Sequence, residues 1–263
     1  MASGREQPET LSLVPREFSV SLQVFPPIAM ARKTALDLAT SLSEHVELTD
    51  LHLGDEAWTF RRPQTSQVSP QGLISVTVEE YEIEIRHDFP TGQLEQFEHL
   101  TDLVINAVSK VIKPTHILRT GIELEYVTNF GGDAREALLG GLRLSGGEAD
   151  KLAEFGRPCH LIGLRLMFPP FTVVSDEDDE ADADEHAENA DESNKEKIGS
   201  DWHATVTIRS LADDPGGISV EVDGHWGPIT WKDGTKIVAE RLNTVLEFLR
   251  ERTIAFLKKF GEN

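Results

Sequence analysis

Between residues 17 and 112 the spacing of apolar side chains switches from every second residue to every third or fourth and back, in the order β, α, β, β, β, β, α. Between 116 and 260 it does so again. No other feature restricts the fold as much, because a two-residue period and a 3.6-residue period bury different surfaces and cannot be exchanged. In "EFSVSLQVF" (17–25), Phe18, Val20, Leu22 and Val24 share one face of a strand that Pro26-Pro27 closes. "AMARKTALDLATSLSEHV" (29–46) is rich in helix formers, with Ala29, Leu36, Leu38 and Leu42 near helical spacing. "HVELTDLHL" (45–53) and "AWTFRRP" (57–63) read as strands, and "GLISVTVEEYEIEIRHDF" (72–89) as two more. In the last of these Tyr81, Ile83 and Ile85 oppose Glu82, Glu84 and Arg86. The stripe Leu94, Phe97, Leu100, Val104, Val108 and Val111 marks a long helix over 91–112.

In the second pass, "HILRTGIELEYVTNF" (116–130) predicts a long strand and 133–155 one or two short helices, with Asp133 and Ser145 as caps. Strands follow at 159–168, 201–211 and 218–231, the last read as one strand or a hairpin. The helix over 236–260 is the strongest in the chain. At an offset of 145 residues Phe97 matches Leu242, Leu100 matches Val245, Leu103 matches Phe248, Val104 matches Leu249 and Val111 matches Phe256. "GLISVTV" (72–78) returns as "GGISVEV" 144 residues later, and Trp58 and Trp202 each stand 14 residues before the first glycine. Duplication makes Ile74 equivalent to Ile218 and Val76 to Val220, all facing the long helices. A competing match, "FPP" at 25–27 and 168–170, leaves 133–155 without a counterpart.

The expectation is an α+β protein. A flexible N-terminus (1–15) precedes two tandem duplicated β-α-β(4)-α halves, 16–113 and 114–263, the second carrying an acidic disordered insert at 175–200. Their antiparallel curved sheet is backed by two long helices. The doubled order resembles the TATA-binding-protein-like fold, in topology only: Glu82, Glu84, Glu123, Glu125 and Glu221 occupy strand positions that DNA-binding members fill with basic and aromatic residues. The alternative is a helix-grip fold, with the sheet wrapped round the last helix and a ligand cavity between.

"ILRTGIELEYVTN" (117–129) also resembles the R-x-G-x-x-Y-x-N strand of an uncharacterised, sporadically distributed bacterial family of about 250 residues. Arg119, Gly121, Tyr126 and Asn129 are the matches, with extra residues between glycine and tyrosine. "FLRERTIAF" is similar to that family's last helix, with Arg252 where a histidine is expected. The resemblance implies a bacterial context and structural roles for these residues, and no particular chemistry.

The chain carries a net charge of −21. The run 176–196, with twelve carboxylates and one lysine, supplies −11 of it and leaves −10 for the rest. Such a balance repels phosphate backbones and anionic membrane surfaces and favours basic partners. One cysteine, Cys159, rules out an internal disulfide and permits a cytoplasmic setting. The start has no apolar signal segment, and the most apolar stretch, 160–174, is too short to cross a membrane.

Nine histidines are scattered, with no H-E-x-x-H, no Cys-x-x-Cys, no G-x-S-x-G and no P-loop lysine. No catalytic residue, metal site or cofactor is expected. "RHD" (86–88) reads as a surface turn, Cys159 beside His160 as a core cysteine, and "NFGGD" and "LSGGEAD" as plain turns. The acidic run lacks the glycine and closing glutamate of a calcium loop. It reads either as a solvated, disordered segment or as bait for a basic protein through Asp176, Glu177, Asp178, Asp179, Glu180, Asp182, Asp184 and Glu185. Two functional readings stay open. The first is a non-catalytic interaction module, suited to a defence or addiction system. The second is a ligand-binding protein or enzyme with a pocket between sheet and long helices.

Overall fold

The structure, a computed structural model, describes residues 12–63, 72–90, 94–129, 132–141, 162–174 and 197–261. Its main element is a curved, unclosed ten-stranded antiparallel sheet with helices on one face. The strands are β1 (Val14–Phe25), β2 (Asp50–Leu53), β3 (Ala57–Arg61), β4 (Leu73–Glu79), β5 (Glu82–Asp88), β6 (His116–Asn129), β7 (Gly163–Phe168), β10 (His203–Ser210), β11 (Gly217–Trp226) and β12 (Ile229–Thr230). A separate hairpin pairs β8 (Phe171–Val174) with β9 (Lys197–Ser200). The helices are α1 (Arg32–Val46), α2 (Leu94–Val111), α3 (Ala134–Gly141), α4 (Gly234–Glu247) and α5 (Ile254–Gly261), with a π turn, Phe248–Thr253, joining the last two.

The strand order is β2-β3-β4-β5-β1-β6-β11-β10-β7. Long strands β1 and β6 form the middle seam. Outward from the seam each flank runs backwards through its own segment of chain: β5, β4, β3 on one side, β11, β10, β7 on the other. The edges β2 and β7 do not meet, so the sheet does not close around the last helix. β12 continues β11 along β6 in one register, from Trp226 opposite Thr120 to Ile229 opposite Ile117. Gly227-Pro228 breaks the run, because proline has no N–H for the pairing. The stretch 218–231, read as one strand or a hairpin, is therefore a single interrupted strand.

The alternating residues meet the helices as their spacing requires. Phe18, Val20, Leu22 and Val24 of β1, Ile83 and Ile85 of β5, Ile122 and Leu124 of β6, and Val220 and Val222 of β11 are all buried. The other wall comes from Leu38 and Leu42 of α1, Phe97, Val104 and Val108 of α2, and Val238, Leu242, Val245 and Leu249 along the last helix. α2 packs between α1 and α4. Each α2 residue paired with the last helix at an offset of 145 has the burial of its counterpart, including the half-buried Leu103 and Phe248. The π turn lets the Thr253 hydroxyl reach the Phe248 carbonyl, five residues back, at 3.4 Å. The helical stripe then resumes at Leu257.

Several expectations change. α1 starts at Arg32 and presents Leu36 to water, the buried stripe being Ala35, Leu38, Leu42 and Val46. Residues 45–46 end α1, so the strand expected over 45–53 shrinks to β2. Tyr81 lies in the β4–β5 turn, 56% exposed, and does not share the inner face of Ile83 and Ile85. β1 starts at Val14, inside the stretch expected to be a flexible tail.

The doubled words do not occupy equivalent places. Ile74 and Val76 lie in β4, two strands from the seam strand β1, whereas Ile218 and Val220 lie in β11, beside the seam strand β6. Trp58 sits inside β3, while Trp202 precedes β10 and stacks on Trp226 at 4.9 Å. "ISV-x-V" is what a β-branched strand with one dry face spells wherever it stands in a sheet. The expectation about facing does hold. All four aliphatic residues are buried under the helices, and Ser75 and Ser219 between them point to the opposite face.

Candidate functional site

The face turned away from the helices is mostly polar, and its centre is acidic. Register builds it. Asp88, Glu17, Glu125 and Glu221 lie side by side across β5, β1, β6 and β11. The next row reads Arg86, Ser19, Glu123, Asp223, and the one after it Glu84, Ser21, Gly121, His225. On these four strands eight carboxylates share the face with Arg16, Arg86 and Arg119. Neighbouring strands lie about 4.8 Å apart, so these charges are close.

Part of this charge is paired. Arg86 donates to Glu17 at 2.7 Å and to Asp88 at 2.8 Å. Glu125, whose side chain is only 7% exposed, accepts from Arg209 at 3.2 Å, faces Arg16 at 3.6 Å and receives the Ser219 hydroxyl. Arg209 also reaches Glu221 at 3.4 Å. Burial without a counter-charge would cost several kcal/mol, so this cluster of donors is what lets Glu125 lie so deep.

Glu123 is different. No hydrogen bond or ion pair reaches it among the described residues, and burial pushes its carboxyl up to about 7, reinforced by Glu221, Glu17, Asp223 and Glu125 around it. Burial also raises Glu17 and Glu84 against the opposing pull of Arg86, and Glu221 against that of Arg209. Beside this carboxyl, His225 pairs through Nε2 with Asp223 at 2.9 Å. Its Nδ1 is shielded from solvent and has no partner among the described residues. Gly121 makes that packing possible. A Cβ there would stand 2.5 Å from the Ser21 hydroxyl and 3.2 Å from the His225 ring.

A second feature lies at one corner of the same face, where a cavity of about 780 Å³ opens at the ends of β3, β4 and β5. Its lining comes from strand ends and the segments beside them, with no helical residue, so it is not the expected pocket between sheet and long helices.

The resemblance to the R-x-G-x-x-Y-x-N strand falls on β6, where its residues go to different places. Arg119 is exposed on the acidic face, and Gly121 lies under His225. Tyr126 is buried on the helix side against Phe18, and burial pushes its hydroxyl up to about 12. Asn129 donates to Asp214 at 3.2 Å. His87 is not in a surface turn. It is buried 6.4 Å from the Phe97 ring, on the face opposite the Arg86–Asp88 pair. Asp133 caps α3 by accepting from the Glu136 N–H at 3.0 Å. The acidic run 176–196, Cys159, His160, Ser145 and "LSGGEAD" lie outside the described residues. Sequence reading places Glu82, Glu84, Glu123, Glu125 and Glu221 at exposed strand positions; they share one face, but Glu125 is buried and the other four are half-buried. It missed Glu17, Arg209 and Ser219 as partners of that set, since only cross-strand register joins residues up to 94 positions apart.

Among the described residues no group of three or more histidine, cysteine or carboxylate side chains is arranged to hold a metal ion. No helix among them is long and apolar enough to cross a membrane.

No family model matches the chain, and no curated protein matches it. Among solved structures it is similar to the di-domain ARO/CYC StfQ from the steffimycin biosynthetic pathway, at 12% identity over 94% of this chain and 98% of that one. The TM-score is 0.23, at which the likeness bears on neither fold nor activity.

Proposed function

We propose that the protein is a non-catalytic interaction module that binds a basic protein partner on the helix-free face of its sheet. The observation that carries this reading is the carboxylate Glu123. It lies at the centre of eight acidic groups, without an ion pair among the described residues and with its pKa raised to about 7 by burial and its neighbours. A lysine or arginine laid across Glu123 would relieve that repulsion and restore the ionised form, so the gain on binding is built into the free protein. The acidic residues of the insert, from Asp176 to Glu185, would add to the chain's overall negative charge and speed encounter. The reading fits a cytoplasmic protein with one cysteine, and in a bacterial host a component of a defence or addiction system.

The test is calorimetric titration with deca-lysine at several salt concentrations. Wild type should bind, and affinity should fall as salt rises. The triple variant Glu84→Gln, Glu123→Gln, Glu221→Gln should lose at least about tenfold in affinity, while deletion of 176–196 should mainly slow association. If the insert deletion abolishes binding and the triple variant does not, the face is not the site.

A further inference from the structure

The cavity at the sheet corner is locally basic in a chain of charge −21. Arg61, Arg62 and Arg86 line it against two carboxylates, Asp50 and Asp88. Register explains the arrangement. Arg61 of β3 stands opposite Ser75 of β4, and Ser75 opposite Arg86 of β5. Two arginines on one face are therefore separated by one strand bearing only a serine, a gap of about 10 Å at the backbone. Long guanidinium side chains can converge across such a gap on a group the size of a phosphate.

With Glu17 beyond the wall, three carboxylates stand against the three arginines, but two of them are held on one guanidinium. Asp88 is already paired with Arg86 at 2.8 Å, and Glu17, the nearest acid beyond the cavity, is paired with the same guanidinium at 2.7 Å. Those partners also hold Arg86 firmly charged, the Asp88 hydrogen bond foremost. Arg61 is exposed and makes no ion pair among the described residues, although Asp50 lies opposite it in β2. Asp50, Thr49 and Ser75 add acceptors and hydroxyls to the wall.

We infer that this corner binds the phosphate or carboxylate group of a small polar molecule, with Arg61 as its main contact and Arg62 and Arg86, each already held by a neighbour, as fixed donors. Hydroxyl or amino groups on the same molecule would meet Asp50, Thr49 and Ser75. The cavity's volume suits a metabolite-sized ligand. This site shares Arg86 and Asp88 with the edge of the acidic face but takes a ligand of the opposite charge.

The experiment is calorimetric titration of the full chain with inorganic phosphate and, separately, with succinate, ionic strength being held constant with sodium chloride. Saturable binding of phosphate alone assigns a phosphate group, of succinate alone a carboxylate, and of both a site for either anion. Arg61→Gln and Arg62→Gln should each weaken the bound anion about tenfold. Arg165→Gln, on the far flank of the same face, should leave the affinity unchanged. Arg61 is exposed, so its variant should keep the wild-type melting temperature. Absence of saturable binding to both anions, full affinity in Arg61→Gln, or an equal loss in Arg165→Gln overturns the proposal.

Discussion

Glu123 owes its raised pKa to burial first and to Glu221, Glu17, Asp223 and Glu125 second. A carboxyl that holds its proton more tightly when folded favours the fold at low pH. That contribution is fully present below the ordinary value of 4.5 and is lost as pH rises through about 7. Glu123→Gln removes the titration, so it should match wild type in stability near pH 4 and exceed it at pH 8. The difference should be on the order of 1 kcal/mol, well below the full shift because the side chain is part-exposed and screened. Melting curves across this range check it, and equal differences at both ends would sink the assignment. Gly121→Ala tests the packing beside it. The added methyl meets the Ser21 hydroxyl and the His225 ring, which must shift, so a loss of about 1–2 kcal/mol in chemical denaturation is expected. Parity in "GIELEYV" was enough to put Glu123 and Glu125 on one face. It could not show that Glu125 is paired and Glu123 is not, because Arg209 and Ser219 reach Glu125 from strands 84 and 94 residues further along the chain.

At the scale of elements, the stripes of the two long helices were reliable and matching words were not. α2 and the last helix appeared where their stripes put them, since each stripe is a property of one segment. The π turn at Phe248–Thr253 was invisible, because the buried Leu249 and Leu257 on either side stand eight residues apart, a spacing that an unbroken α-helix also gives. "GLISVTV" and "GGISVEV" both name dry-faced strands, but strand order depends on partners, which local spelling does not encode. Ile74 and Ile218 nevertheless fill the same layer, at 7% and 0% exposure. Truncating either to alanine should cost about 2–5 kcal/mol, with Ile218, nearer the seam, towards the upper end. Urea denaturation of the two variants measures this, and a loss under about 1 kcal/mol at Ile218 would contradict its place in the core.

For the whole molecule, partners fix the β1–β6 seam and the strand order beside it, while a curved antiparallel sheet backed by two long helices was legible. The basic corner was not, since Arg61 and Arg86 meet across β4 only once the register is known. The acidic insert enters and leaves between Val174 and Lys197, which pair in the β8–β9 hairpin. Replacing 176–196 with a short turn should therefore leave the melting temperature within about 2 °C of wild type, a segment of such composition having little apolar surface to bury. The central claim is that the helix-free face receives a cationic partner. Carboxylate-selective NMR of the full chain during titration with deca-lysine tests it most directly. The account predicts that Glu17, Glu84, Glu123 and Glu221 shift together, and that the Glu123 pKa falls from about 7 towards the ordinary range as a cation comes to rest beside it. Shifts confined to 176–196, with the Glu123 titration unmoved, would contradict it.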